Sequence, residues 1–225
     1  MPQPALLVVF ENHRVFAVDK PAGQAVIPGR GLPEEPLQAQ VCRHLGGKAY
    51  VVHRIDRDAS GLVVFAKDAA THRDLCLLFE QRQLRKLYLA LAQGGVARDG
   101  CVESPLREYG SGRSGVAEAG KASLTRYRIM SQARGAALLE VAPLTGRRHQ
   151  IRVHLHSLGH PILGDRLYGK DRPVGGVERL MLHAWNLSFR MDNGHYRLWA
   201  PPGADFSRVL ERFGITCPVP GPLSS

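Results

Sequence analysis

Apolar residues in this chain come in short runs, and that pattern constrains the fold more than any other feature. Leu6 to Phe10, Val15 to Val18 and Gly61 to Ala66 are each strand-sized and bounded by polar or Gly/Pro segments. None approaches the roughly 20 consecutive apolar residues that a membrane helix requires, so no membrane partner is expected. Further strands are expected at Lys86 to Leu91, Leu124 to Met130, Ala136 to Val141, Leu180 to Phe189 and His195 to Ala200. Helical spacing is rarer. Pro36 to Leu45 is weakly helical, and Thr71 is placed to cap a helix reaching about Leu84, with Leu75, Leu78 and Phe79 on one face. Thr145-Gly146 leads into an expected helix from about Arg147 to Leu158, which Gly159 and Pro161 end. Residues 28 to 36 read as a surface loop, 107 to 120 as a hairpin tip or linker, and the Pro-rich tail from 218 to 225 as disordered. The pattern is that of an α+β protein with a mixed, largely antiparallel β-sheet flanked by helices. One domain over 1–217 accounts for the length.

Charge narrows the partners. Thirty Lys and Arg oppose twenty Asp and Glu, a formal net charge of +10. Such an excess attracts phosphates and releases counterions, and arginine, which predominates here, binds phosphates bidentately and stacks on bases. A nucleic-acid partner is expected, against the plainer reading of charge that only aids solubility. The four cysteines, Cys42, Cys76, Cys101 and Cys217, form no CxxC pair. Reduced thiols in a cytoplasmic setting are therefore expected rather than a disulfide framework or a zinc site. Met1 to Pro4 has no basic segment before the first apolar run, so no secretory signal is read there.

Two polar constellations carry candidate chemistry. His53-Arg54-Ile55-Asp56-Arg57-Asp58-Ala59-Ser60-Gly61 lies between apolar segments, as catalytic loops often do. A carboxylate among arginines has its ionised form favoured and suits a nucleophile or base; the same loop could equally be an ion-paired structural turn. Thr145-Gly146-Arg147-Arg148-His149-Gln150-Ile151-Arg152-Val153-His154 is the second. On the expected helix Arg148 and Arg152 share one face and Ile151, Leu155 and Leu158 another, which suits pairing with a carboxylate or phosphate, or merely a solvated face. His149, His154, His156 and His160 lack metal-site spacing and have no acidic residue among them, so no metal is expected. Tyr88, on an expected strand, is either a packed core side chain or a ring that stacks on an extruded base.

Taken in order, these segments resemble the RluA family of pseudouridine synthases. Val8 to Asn12 and Val18-Asp19-Lys20-Pro21-Ala22-Gly23 are similar to its opening, His53-Arg54-Ile55-Asp56 through Leu62 to its catalytic motif, and Lys86-Leu87-Tyr88-Leu89-Ala90 to its KxYxA segment. Thr145 to His154, Gly159 to Asp165 and Leu182-His183-Ala184 resemble its later motifs, so the likeness spans about residues 6 to 206. Ile55 and Ala59 depart from the leucine and threonine usual in the family, and the resemblance is to short members without an S4-like domain. It implies a pseudouridine synthase fold with a central catalytic cleft and an isomerase of structured ribosomal or transfer RNA. It also implies a monomer that needs no cofactor. The catalytic set it implies is Asp56, Tyr88 and Arg152, with Arg152 paired to Asp56. His53, Arg54, Lys86, Arg148, His149 and Leu182 would contact RNA or the flipped base. The alternatives are a catalytically silent RNA binder of the same fold and a hydrolase, which would need a second carboxylate flanking the bond.

Overall fold

The computed structural model describes residues 6–29, 34–169 and 174–216. In chain order the first elements are β1 (Leu7–Glu11), β2 (Val15–Lys20), α1 (Leu37–Leu45), β3 (Tyr50–Val51), β4 (Ser60–Ala66), α2 (Ala69–Glu80) and β5 (Leu84–Gln93). β6 (Gly100–Glu103), β7 (Leu106–Glu108), β8 (Ser114–Val116), β9 (Leu124–Ala133) and β10 (Ala136–Pro143) follow. α3 (Gln150–Ser157), β11 (Leu182–Met191), β12 (Gly194–Trp199) and α4 (Ala204–Arg212) complete the set. The expected α+β architecture, with mostly antiparallel strands, is what the chain adopts. Among the described residues no helix is long and apolar enough to cross a membrane.

The chain divides into two compact units, Met1–Leu87 with His183–Ala200 and Tyr88–Leu182 with Pro201–Ser225. In the first, the strands run β1-β2-β4-β11, with β12 on β11 and β3 on β4. β4 and β11 pair in parallel, and β1–β2, β2–β4, β3–β4 and β11–β12 are antiparallel. Every residue of β4 is buried, as expected of a strand covered on both faces. Val15, Ala17, Leu62, Val64, Phe189 and Leu198 form its core, to which α2 contributes Leu75.

The second unit is built on β5-β10-β9-β6, all antiparallel, beside the separate hairpin β7–β8. Ala133 pairs with Ala136, and Arg134 and Gly135 between them both have positive φ, 49° and 74°. That is the two-residue turn whose twist matches the flanking strands. β5 is buried from Leu89 to Ala92, and α3 presents Ile151, Val153 and Leu155 to the interior.

Several expectations need correction. The cap of α2 is Asp68, not Thr71: its carboxylate accepts the Thr71 N–H at 2.8 Å and the Thr71 hydroxyl at 2.6 Å. The helix ends at Glu80, and Leu84 begins β5 instead of closing α2. α3 begins at Gln150 rather than Arg147, because His149 has φ 56° and cannot continue a right-handed helix into Arg147-Arg148. Arg148 therefore lies outside the helix and shares no helical face with Arg152; Arg148 is exposed at its rim and Arg152 buried. The segment 107–120 does contain a hairpin. Met1 to Pro4, residues 30–33 of the 28–36 loop, Cys217 and the 218–225 tail lie outside the described residues.

Candidate active site

In the first unit the segment from Val52 to Ala59 has no regular structure, yet it is held at both ends and from below. At its start, His53 Nε2 accepts the Val64 N–H of β4 at 3.0 Å, and the ring stacks on Phe79 of α2 with centroids 4.8 Å apart. At its end, buried Ser60 lies 2.9 Å from His183 Nδ1, and His183 Nε2 lies 3.0 Å from the Ala200 carbonyl. A carbonyl only accepts, so Nε2 carries a proton, and in the neutral ring Nδ1 accepts the Ser60 hydroxyl. Gly61 then has φ 111°, and a Cβ there would lie 2.1 Å from the Ala184 carbonyl oxygen, a distance that leaves room for glycine only.

From below the loop rests on Lys20, which has no solvent exposure. Its ammonium lies 2.6 Å from the Ala59 carbonyl, 2.9 Å from that of Arg57, 2.7 Å from Pro21 and 2.8 Å from Gln24. A buried ammonium requires such acceptors, and here two of them belong to the loop itself. Asp56, half-buried, sits between these anchors, and its own carbonyl accepts the Ala59 N–H at 3.2 Å. Arg54 and Asp58 are exposed, and Ala59 is fully buried. Lys86 lies beside the loop's first anchor, with its Nζ 6.0 Å from the centre of the Phe79 ring. Burial lowers the pKa of Lys86. His53 is half-buried as a residue, and burial of the ring, then the Lys86 charge, push its pKa down to about 3. The imidazole is therefore neutral at pH 7.

In the second unit the 145–154 segment is organised by the Gln150 amide. Its oxygen accepts from the Thr145 hydroxyl at 2.6 Å and the Arg147 N–H at 3.0 Å; its nitrogen donates to the Leu124 carbonyl at 3.0 Å and Thr125 Oγ1 at 2.9 Å. All four positions of the amide are filled. His154 Nδ1 lies 2.8 Å from Thr125 Oγ1, and Nε2 lies 3.0 Å from the Ser104 carbonyl. Burial lowers its pKa, so it too is a neutral core histidine.

Between Gln150 and His154 on α3, Arg152 is 4% exposed and grips Asp165 with two hydrogen bonds of 2.8 Å, from Nε and Nη2. Asp165 also accepts the N–H groups of Leu167 and Tyr168 at 2.9 and 3.1 Å. Burial opposes its charge, but the guanidinium and these donors outweigh it and hold its pKa below the usual carboxylate value. The Tyr168 ring lies 5.1 Å from the Arg152 guanidinium. Its hydroxyl accepts the Ser114 N–H of β8 at 2.7 Å and lies 2.8 Å from His149 Nδ1. Burial raises the Tyr168 pKa.

The sequence-expected residues thus fall into two groups. His53, Arg54, Asp56 and Lys86 belong to the first unit, and Tyr88, Arg148, His149, Arg152 and Leu182 to the second. Tyr88 is half-buried on β5, opposite Val141 of β10, and Leu182 is buried at the start of β11. Sequence reasoning assigned no part to Lys20, His183, Gln150, Asp165 or Tyr168. Lys20 could have been noticed as a second charge, after Asp19, at the end of the apolar run Val15 to Val18; an isolated Asp165 or Tyr168 gives no such signal. Among the described residues no group of three or more His, Cys, Asp or Glu is arranged to hold a metal ion.

Comparison with known proteins follows the same lines. The profile of the RNA pseudouridylate synthase family matches residues 14–157. A ribosomal large subunit pseudouridine synthase D of Nitrosomonas europaea is 37% identical over 91% of this chain, and the match spans 64% of that protein's length. A dual-specificity RNA pseudouridine synthase RluA of Vibrio cholerae is 36% identical over 86% of this chain and 80% of its own. The solved structure of human RNA pseudouridylate synthase domain containing 1 superposes with a TM-score of 0.77 at 27% identity, over 90% of this chain and 86% of that one. Human RNA pseudouridylate synthase domain containing 4 shares the fold, with a TM-score of 0.80 at 24% identity over 95% of each chain.

Proposed function

Since the chain belongs to the RNA pseudouridylate synthase family, we propose that it converts selected uridines of structured RNA to pseudouridine with Asp56 as the catalytic carboxylate. The observation that carries this reading is the anchoring of the Asp56 loop by Lys20, His53 and the Ser60–His183 pair. A carboxylate that acts on one atom of a bound nucleotide must be held within a fraction of an ångström, and rigid supports of this kind supply that precision.

In the proposed reaction the target nucleotide flips out of the RNA stack, at a cost of a few kcal/mol that phosphate contacts offset. Asp56 acts as nucleophile or base. The C1′–N1 bond breaks, the uracil rotates, a C1′–C5 bond forms, the C5 proton leaves to solvent and N1 gains one. Atoms and charge balance without an oxidant, a reductant or a hydrolytic water, so the reaction as proposed needs no metal or cofactor. Tyr88 stacks on the flipped base and assists loss of the C5 proton, and Arg152 orients Asp56. Arg54 fills the gap left in the RNA stack, and Leu182 packs near the base. Lys86, Arg148 and His149 contact RNA, and His53 serves chiefly by fixing the loop. Ribosomal or transfer RNA stem-loops are the proposed substrates; the name of the Nitrosomonas europaea relative specifies the ribosomal large subunit. A cytoplasmic monomer completes the reading.

RNA labelled with tritium at uridine C5 tests it. Wild type is expected to release tritium from ribosomal or transfer RNA, and Asp56→Asn none, although it folds and binds RNA as wild type does. Release by Asp56→Asn at the wild-type rate would remove the role given to that carboxylate.

A further inference from the structure

Away from the Asp56 loop, the first unit carries a basic groove of about 560 Å³ between the α2–β5 connection and the β11–β12 hairpin. Arg82, Arg85, Arg190 and His195 line it, and Leu78, Leu84 and Phe189 give it an apolar wall. No aspartate or glutamate is among its lining residues. The three arginines are exposed, and none of them enters an ion pair among the described residues. Three like charges around one recess repel one another unless an anion lies between them, and guanidinium groups favour phosphate as that anion.

A second observation is independent of the charge. After α2 the chain closes with Gln83 N–H on the Leu78 carbonyl at 2.9 Å and Arg82 N–H on that of Phe79 at 3.3 Å. This is the helix-ending motif that places its penultimate residue in the left-handed region, where glycine is favoured. Here that residue is Arg82, with φ 58°. A non-glycine side chain in this conformation is strained. The strain is borne at a position whose side chain lines the groove.

We propose that this groove is a phosphate-binding site for the backbone of the substrate RNA, on the strand that leads three residues later to Tyr88. The proposal rests on the RNA-modifying reading above and adds to it a second, sequence-independent hold on the substrate. The apolar wall accommodates the sugar face of the backbone while the arginines take its phosphates.

The test is equilibrium binding of the full chain to total transfer RNA and total ribosomal RNA over a range of KCl concentrations. Removing one arginine–phosphate pair lowers the slope of log affinity against log salt by about 0.7 for a single strand. Arg82→Gly is expected to weaken binding about fivefold at about 0.1 M salt, and Arg82→Gly combined with Arg85→Gln and Arg190→Gln about a hundredfold, the slope falling by about two. Glycine at φ 58° relieves strain, so the single variant keeps or raises the unfolding temperature, and Arg82→Lys recovers most of the slope. Wild-type affinity and slope in the triple variant would overturn the groove and leave the RNA-modifying reading intact. No salt-sensitive binding of either RNA by wild type would overturn both.

Discussion

A lysine with no exposure to solvent is tolerated only where its ammonium is fully solvated by protein, and Lys20 meets that condition with four carbonyl oxygens. Replacing it by methionine removes the donors from the buried Gln24 and Ala59 carbonyls, at roughly 1–3 kcal/mol for each one left unsatisfied. Lys20→Met is expected to lose at least about 2 kcal/mol in denaturant unfolding and to slow tritium release more than it weakens RNA binding. Gly61→Ala tests the other end of the loop. The clash is with Ala184 backbone, which cannot swing aside, so a loss of at least about 2 kcal/mol is expected. The Asp56 segment stood out in the sequence because a carboxylate flanked by arginines between apolar runs is visible as a pattern of residue types. Lys20 and His183 were not read as supports, because what they do depends on carbonyls and strands that meet only in the fold.

Elements were legible where periodicity defines them and less so at their ends. The strands from Leu124 to Met130 and from Ala136 to Val141 appear close to where their apolar alternation put them. β6 has a single buried apolar residue, Val102, and α4 only Phe206 and Leu210 as fully buried anchors, so neither gave a usable pattern. Helix starts depend on side chain to backbone bonds that hydrophobic spacing does not report. At α3 the spacing continued back to Arg147, but the Gln150 amide takes the Arg147 N–H and His149 turns left-handed, which sets Arg148 apart from Arg152. Gln150→Glu makes this dependence measurable. A carboxylate cannot donate to Leu124 or Thr125, so a loss of about 2 kcal/mol is expected in thermal or denaturant unfolding. Unchanged stability would mean that the turn is held by its backbone alone.

For the whole molecule, acid is the informative stress. His53 has its pKa depressed in the folded protein to about 3, against an ordinary value of 6.5. The unfolded chain therefore binds the proton first, and the contribution of His53 is complete above about pH 6.5 and is lost progressively as pH falls toward 3. Asp165, also depressed, adds a loss that begins lower, as pH falls through the ordinary carboxylate range. Unfolding free energy measured from about pH 7 to about pH 4 is expected to fall, and to fall less steeply in His53→Gln, which keeps an acceptor for Val64; parallel curves would show that His53 is not the group responsible. Net charge and strand pattern had already indicated a basic α+β protein, but no property of the sequence revealed how the Arg152–Asp165 pair connects to the β7–β8 hairpin. Tyr168 makes that connection, with its ring against the guanidinium and its hydroxyl on the Ser114 N–H. Thermodynamic linkage is reciprocal. Any ligand that favours one position of the hairpin must, through Tyr168, favour one setting of the arginine to the same degree. Mutating that buried pair should in turn be felt at the hairpin, as a change in how firmly the Ser114 N–H is held.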